Sequence, residues 1–548
     1  MIMERKNLGS MYTHVFREYW DQSLFSDYGG ESFKYSDVAQ SIQTLKILFE
    51  KAGLKPSEKV AIYGRNSSNW AKVFLATMAY GAIAVPILPD FIPDNVYHIV
   101  EHSGSKFLFA GKSLYNNLEK SKLKGIEGCI AIDDFTVLEC EHEKLKALAE
   151  EGIKLMAGEK VKKEDFSFVE SADEEIQILS YTSGSSGFSK GVMIPVRSLF
   201  SNIVYAQDHM PLRPNDRILS LLPMAHVFGL SFEFLFPITM GCYTTFLTKT
   251  PSPRILLQSF KEIKPNLIFF VPLIIEKIYK KQLLPTLQKP VMKLMLSIPG
   301  IKSLIYKKIR AKLIASFGGN FFEVVIGGAA LSSEVESFLC KIKFPFTVGY
   351  GMTECGPLIS YAAWNVTRKY SAGKLVDRLE IRIESDDPYN TVGEIQVKGM
   401  NTMLGYYKND EANRNTFTDD GWMKTGDLGV IDKDNFVYIK GRSKNMLLGP
   451  SGQNIYPEEL EVRLSNMSYI QECVIIQRNH KLLALVYPDK EAMKAEVVVN
   501  DALPAIMEDN RKAFNQQVAI YEQLTKIELV DEEFEKTPKK NIKRFLYT

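Results

Sequence analysis

The sequence predicts an α/β protein: a large N-terminal domain of helix-covered, mostly parallel sheets plus a small β-subdomain, then a small α+β C-terminal domain. Three observations carry this. Lys59–Tyr63, 69–81 and 82–89 alternate strand, helix and strand, a unit echoed over 97–110, and such alternation builds a parallel sheet with helices on its faces. Beyond Ser371 the pattern changes to short strands and tight turns. At 548 residues the chain also exceeds what one hydrophobic core usually supports.

Taken in order, residues 1–51 read as largely helical, with Val38, Ile42, Leu45 and Leu48 at helical spacing after a cap at Ser36. The strand–helix–strand unit follows. Residues 111–173 are rich in lysine and glutamate and read as solvated helix and loop without chemistry. A short apolar run, 176–179, then reads as a buried strand leading into Tyr181-Thr182-Ser183-Gly184-Ser185-Ser186-Gly187-Phe188-Ser189-Lys190-Gly191-Val192. These twelve residues hold three glycines, five aliphatic hydroxyls and one lysine. Glycines let N–H groups converge, and the hydroxyls and ammonium add donors around the same point, which suits a phosphate chain better than a plain linker. The spacing is not Walker A, because Gly187 and Lys190 are two residues apart and Gly191 follows.

A strand over 216–222 ends in Pro223-Met224-Ala225-His226, placing a histidine at a strand's carboxyl end, where open α/β sheets bind ligands. Alone, a histidine among apolar neighbours is more often a packed core residue. Another buried strand spans 267–271. Residues 277–312 hold ten lysines and arginines and no acid, interleaved with leucine, isoleucine and methionine. Such a segment is either a surface for an anionic membrane or the solvated face of an ordinary helix.

A strand over 321–326 runs into Gly327-Gly328-Ala329, where small residues let a flat ring approach the backbone. Phe346-Thr347-Val348 leads to Gly349-Tyr350-Gly351-Met352-Thr353-Glu354. An acid beside a phosphate loop repels the ligand unless a divalent cation lies between, so Glu354 reads as a magnesium ligand. In the β-subdomain, with strands over 380–384, 392–398, 421–423 and 436–439, Lys424-Thr425-Gly426-Asp427 reads as a turn whose carboxylate suits ribose hydroxyls. Gly441-Arg442-Ser443-Lys444 precedes a second glycine-rich turn, 449–454. Helix 457–464 and strands 471–477 and 482–487 form a separate unit ending in a basic tail, 536–544.

Bulk properties exclude several classes. A net charge of +2 makes no case for nucleic acid. Six scattered cysteines without a Cys-x-x-Cys pair argue against disulfides or structural zinc and fit a reducing cytoplasm. The N-terminus lacks the apolar core of a signal peptide, and the longest apolar runs fall short of the ~20 residues of a membrane span. The expected location is cytoplasmic, with peripheral contact at the inner membrane face if 277–312 binds lipid.

In order, the phosphate loop, Gly-Gly-Ala, Tyr-Gly-Met-Thr-Glu, Thr-Gly-Asp and Gly-Arg-x-Lys resemble the adenylate-forming superfamily of acyl-CoA synthetases, luciferase-like enzymes and peptide-synthetase adenylation domains. Pro223–Gly229 and Asn454–Glu459 most resemble bacterial long-chain fatty-acid–CoA ligases. The resemblance implies ATP, Mg²⁺ and coenzyme A as co-substrates and cofactor, a carboxylic (fatty) acid substrate, and no nucleic acid; a homodimer is compatible with it. A carboxylate would attack the α-phosphorus of ATP, and a thiol would then displace AMP. It also implies roles: Thr182 to Gly187 and Lys190 cradle the β,γ-phosphates, and Thr182 and Glu354 hold Mg²⁺. Tyr350 stacks on adenine within Gly349–Met352, Gly327 to Ala329 line it, Thr353 touches the α-phosphate, and Asp427 and Arg442 bind ribose. His226 borders the acyl tunnel. Lys444 is a hinge position, giving residues 1–440 as the N-terminal domain (β-subdomain about 371–440), 441–444 as the hinge and 445–548 as a mobile C-terminal domain. An aryl or other acid, a carrier protein as acceptor, and a non-catalytic nucleotide-binding regulator are the alternatives.

Two departures from the family pattern stand out. Ser189 occupies a position where proline is usual, which loosens the loop before Lys190. Asn541 stands where the adenylation lysine belongs, before Ile542-Lys543-Arg544, so either Lys540 or Lys543 takes the role with a shifted register, Lys540 being favoured.

Overall fold

The computed structural model describes residues 6–140, 160–182, 189–249, 252–448, 453–478, 481–495, 498–536 and 542–547. An eight-stranded sheet forms its centre, in the order Gly405–Tyr406, Lys190–Pro195, Ile176–Thr182, Ile83–Ile87, Lys59–Tyr63, Phe107–Ala110, Gly128–Ala131, Val137–Cys140. From Ile176–Thr182 to Gly128–Ala131 the strands run parallel, and antiparallel strands close both edges. Parallel strands are covered on both faces, and Ile83–Ile87 is accordingly apolar and buried throughout. Ser67 caps the helix Ser68–Tyr80 by accepting from the Trp70 N–H at 3.1 Å, and Gly81, at φ +82°, ends it.

A second sheet pairs Arg217–Ser220, Tyr243–Phe246, Ser23–Asp27 and Ser32–Lys34, and a third holds Leu267–Phe270, Glu323–Ile326 and Phe346–Val348, all parallel. The Asn266 N–H donates to the Arg217 carbonyl at 2.8 Å, aligning the two sheets. Chain ends leaving Arg217–Ser220, Glu323–Ile326 and Phe346–Val348 therefore emerge along one rim, the rim where α/β sheets bind ligands. An antiparallel sheet of Leu379–Glu384, Gly393–Gly399, Met423–Ile431 and Val437–Arg442 follows. Ile470–Arg478, Lys481–Pro488 and Leu524–Leu529 then form a small sheet with helices Pro457–Leu464 and Leu503–Asn515, around a cluster of its own that includes Leu460, Leu464, Ala484 and Phe514.

Four expectations are corrected. Between helices Leu8–Glu18 and Tyr35–Lys51, residues 1–51 hold the hairpin Ser23–Asp27 and Ser32–Lys34, whose first strand is stabilised by parallel pairing with distant Tyr243–Phe246. Ser36 is not the cap: the second helix begins at Tyr35, and the Asp37 carboxylate accepts from the Lys34 N–H at 2.8 Å. Within 111–173, Gly128–Ala131 and Val137–Cys140 are strands at the edge of the main sheet rather than solvated helix. Lys424–Asp427 is not a turn. It lies inside the long strand Met423–Ile431, with register shifts in the pairing to both neighbours, and Gly426, at φ +72°, supplies the left-handed kink.

Candidate active site

Ile176–Thr182 and Lys190–Pro195 form a hairpin in which Thr182 faces Lys190. The candidate phosphate loop is thus a hairpin connection, and its residues Ser183, Gly184, Ser185, Ser186 and Gly187 lie outside the described residues. Both feet of the loop are held by stacked histidines on the helix Pro93–Ser103: His102 Nδ1 lies 2.8 Å from the Tyr181 hydroxyl, and His98 Nε2 lies 3.4 Å from the Ser189 carbonyl. Ser189 is itself buried.

Beside this hairpin sits Tyr406, on the short strand Gly405–Tyr406 paired with Lys190–Pro195. Its hydroxyl donates to Glu354 Oε1 at 2.8 Å, while the Lys190 ammonium lies 5.0 Å from the centre of its ring. Lys190, Tyr406 and Glu354 are therefore joined through one phenol, whose pKa burial and the Glu354 charge both raise. Thr353 and Glu354 occupy a buried 3₁₀ turn, Thr353–Cys355. Asn202, on the helix Val196–His209, clamps that turn, donating to the Cys355 carbonyl at 3.0 Å and accepting from the Leu358 N–H at 2.9 Å. Gly351 precedes it, where a Cβ would fall 2.1 Å from the Pro357 carbonyl oxygen, so only glycine fits.

Tyr350 donates to Asp427 Oδ2 at 2.7 Å, and Arg442 Nε lies 2.8 Å from Oδ1. Burial pushes the Asp427 carboxyl above its ordinary value, against the pull of Arg442 and of the Tyr350 hydrogen bond. Gly327 and Gly349 end neighbouring parallel strands, and a Cβ on Gly327 would press to 3.1 Å from the Phe228 ring. Phe228 follows His226 by two residues, so the histidine segment and the Gly327–Gly328–Ala329 turn line one space. The half-buried His226 ring accepts the Phe228 N–H on Nδ1 at 3.2 Å, which places the neutral ring's proton on Nε2.

Two residues that the sequence reading missed organise this rim. Tyr406 is one; its only signal is an aromatic residue after Gly405, which no motif marks. Glu233 is the other. It is fully buried in a π-turn, Leu230–Leu235, and its Oε2 accepts from the N–H groups of Leu221 and Leu222 at 2.9 and 2.8 Å and from the Ser220 hydroxyl. Burial holds its carboxyl well above the usual range. It pins the strand end that carries His226, and its signal was a lone acid within the apolar run 230–238.

The remaining predicted residues lie on the exposed side of the rim or toward the C-terminal unit. Met352 is half-buried beside the Thr353 turn, and Gly328 and Ala329 are exposed at their strand end. Lys444 is exposed in the 3₁₀ turn Ser443–Asn445, flanked by two links to the helix Pro457–Leu464, Lys440 to Glu459 at 3.0 Å and Asn445 to Glu458 at 2.5 Å. Lys543 is paired with Glu535 at 2.8 Å within the C-terminal unit. Lys540 and Asn541 lie outside the described residues.

Among the described residues, no group of three or more His, Cys, Asp or Glu side chains is arranged to hold a metal. The donor set at the rim nevertheless fits Mg²⁺: one buried carboxylate, Glu354, near a hairpin with a hydroxyl at Thr182. That cation keeps waters and takes further ligands from substrate phosphates rather than from an all-protein cage.

A model of the AMP-binding enzyme family matches residues 13–407, and one of the AMP-binding enzyme C-terminal domain matches 445–547. The long-chain-fatty-acid–CoA ligase FadD15 of Mycobacterium bovis is 27% identical over 488 residues, covering 84% of this chain and 78% of its own length. The 4-coumarate–CoA ligase CCL1 of Humulus lupulus is 26% identical over 547 residues, covering 94% and 88%. The crystal structure of ATP-bound MatB from Rhodopseudomonas palustris has a TM-score of 0.77 at 20% identity, covering 98% of this chain and 97% of that one, so the two share a fold.

Proposed function

The chain belongs to the AMP-binding enzyme family, and from that premise we propose that it is an ATP-dependent acid–thiol ligase acting on medium- or long-chain fatty acids. The observation that supports this most is the convergence of Lys190, Tyr406 and Glu354 beside the rim that also carries Tyr350, Asp427 and His226. In the first step a carboxylate oxygen bonds to the α-phosphorus of ATP and pyrophosphate leaves, giving an acyl-adenylate. In the second the sulfur of coenzyme A bonds to the acyl carbon and AMP leaves, giving a thioester. The adenylate supplies a leaving group that a carboxylate lacks.

Catalysis at phosphorus is mainly positioning and charge stabilisation. Thr182 and Lys190, with the loop between them, hold the β,γ-phosphates, and Thr353 meets the α-phosphate. Mg²⁺, when bound at Glu354 and Thr182, neutralises phosphate charge. Tyr350 and the Gly327–Ala329 turn enclose adenine, while Asp427 and Arg442 take the ribose hydroxyls. His226 borders the acyl channel. Rotation about Lys444 would present two faces of the C-terminal unit in turn, one for each step. The fatty acid rather than an aryl acid is favoured by the FadD15 likeness, and the CCL1 likeness keeps the aryl acid as the competitor.

Mass spectrometry of the products from ATP, coenzyme A and a mixture of fatty and aryl acids tests this. Fatty acyl-CoA with AMP and pyrophosphate is expected. Aryl thioesters alone would replace the substrate class, and no pyrophosphate with any acid would reject the ligase reading.

A further inference from the structure

We infer that the helical layer over 284–312 is a docking surface for an anionic lipid bilayer. A surface helix normally turns its apolar stripe inward. The helix Pro290–Ser297 does the reverse: Val291, Leu294, Met295 and the capping Ile298, at spacings of three, four and seven, form one face, and they are 70%, 69%, 36% and 46% exposed. Leu304, on the next helix, Pro299–Ser316, is 62% exposed. No residue from Lys280 to Lys312 is buried. Beneath the layer, Leu287, Leu296 and Tyr306 face a cavity of about 420 Å³ across from Phe338, Glu334 and Lys341.

Charge selects the occupant. Residues 277–312 carry ten cations and no acid, although the whole chain has a net charge of only +2, so the remainder is net negative. Lys281 pairs with Glu491, and Lys280 donates to the Ser465 carbonyl at 3.0 Å. Among the described residues no ion pair is found for Lys289, Lys293, Lys307, Lys308, Arg310 or Lys312. Exposed aliphatic side chains flanked by unpaired cations match a bilayer of anionic headgroups over acyl chains: the apolar face enters the interface and the cations meet the phosphates. A second copy of this chain is a poorer occupant, because two such faces would oppose their own positive charge. The inference rests on the fatty-acid reading only for its purpose, delivery of a water-insoluble substrate; its geometry is independent of that reading.

Co-sedimentation of the full chain with vesicles of roughly three parts phosphatidylcholine to one part phosphatidylglycerol tests it, with pure phosphatidylcholine as control. Two variants accompany the wild type, Val291→Ser/Leu294→Ser and Lys307→Gln/Lys308→Gln/Arg310→Gln. All five positions lack buried side chains, so unchanged thermal unfolding is expected of both. Wild type should pellet with the anionic vesicles at low salt and be released by high salt. The triple variant should lose on the order of a hundred-fold in partitioning at low salt, and the double variant should fail to pellet at low salt although its cations are intact. No pelleting of wild type, equal pelleting with pure phosphatidylcholine, or variants that bind like wild type would each overturn the inference. So would a wild-type dimer that ignores vesicles and that Val291→Ser/Leu294→Ser converts to monomer, since the face would then belong to a second copy. Pyrophosphate release with the same mixture of fatty and aryl acids, supplied in solution without vesicles, is measured in parallel and should be equal in all three proteins. Its absence throughout would reject the ligase reading without touching the vesicle result.

Discussion

The Tyr350 hydroxyl donates to Asp427 Oδ2 at 2.7 Å, tying the short strand Tyr350–Gly351, which follows the parallel strand Phe346–Val348, to the bulged strand Met423–Ile431. Asp427 in turn faces Arg442 in register, and Arg442 is separated only by Ser443 from the exposed Lys444. The buried carboxylate thus joins the wall proposed for adenine to the segment leading into the C-terminal unit. Asp427 alternates with the buried Met423 and Thr425 along the strand, and Gly426 between them adopts the left-handed φ of +72° that the bulge requires.

Tyr350→Phe keeps the ring and removes the hydrogen bond, leaving one oxygen of a buried carboxylate without its donor. Leaving such a group unsatisfied costs about 1–3 kcal/mol. We expect the KM for ATP to rise about ten-fold with kcat changed far less, because a ring that only lines adenine contributes binding common to ground and transition states. Steady-state kinetics over ATP concentration check this, and an unchanged KM would remove Asp427 from nucleotide recognition.

Tyr406→Phe frees Glu354 Oε1 and leaves the carboxylate free to rotate. Partners that orient a metal ligand typically contribute ten- to a hundred-fold in affinity or activity. The expected result is a rise of about ten-fold in the Mg²⁺ concentration giving half-maximal rate, with Glu354→Gln affected more strongly. Titration of activity with MgCl₂ at saturating ATP reads it. A Tyr406→Phe enzyme with wild-type Mg²⁺ dependence would show that the phenol does not orient Glu354 for the cation.

What the sequence disclosed followed local pattern. Lys59–Tyr63 and Pro457–Leu464 have the boundaries read from the sequence, because each carries a strong local pattern. The hairpin Ser23–Lys34 escaped because its stabilising partner is more than two hundred residues away. Met423–Ile431 escaped because glycine and aspartate weigh toward a turn, while the pairing that holds them extended comes from neighbours on both sides. Glu354, Tyr350 and Asp427 were legible as motif residues, and their mutual bonding was not. Tyr406 and Glu233 act through tertiary contacts alone, so no spacing rule finds them.

Glu323 begins the strand leading to Gly327, and burial raises its pKa to about 7 from 4.5, although the Tyr361 hydroxyl and Trp364 N–H oppose the shift. In the unfolded chain it titrates at its ordinary value. Between the two values the native state keeps a proton that the unfolded state has lost, so this contribution is complete below about pH 4.5 and disappears as pH rises through about 7. Its size is about 3 kcal/mol. Glu323→Gln removes the titration. Denaturant unfolding across this range should show a smaller loss of stability with rising pH in the variant than in wild type, and parallel curves would contradict the assignment.

Lys543 is paired with Glu535, and Lys540 is the residue expected to supply the cation for adenylation. Lys543→Ala should keep close to the wild-type rate of pyrophosphate exchange, whereas Lys540→Ala should lose ten-fold or more, in line with removal of a group that stabilises charge developing in the transition state. Asn541→Lys, which restores the cation the family pattern places there, should raise exchange and rescue Lys540→Ala in the double variant. Thioester formation from preformed acyl-adenylate should be unchanged in all of them, because the lysine acts on the phosphoryl step. If Lys543→Ala falls as far as Lys540→Ala, the Glu535 pair must open during catalysis and the tail reaches the rim through Lys543 instead.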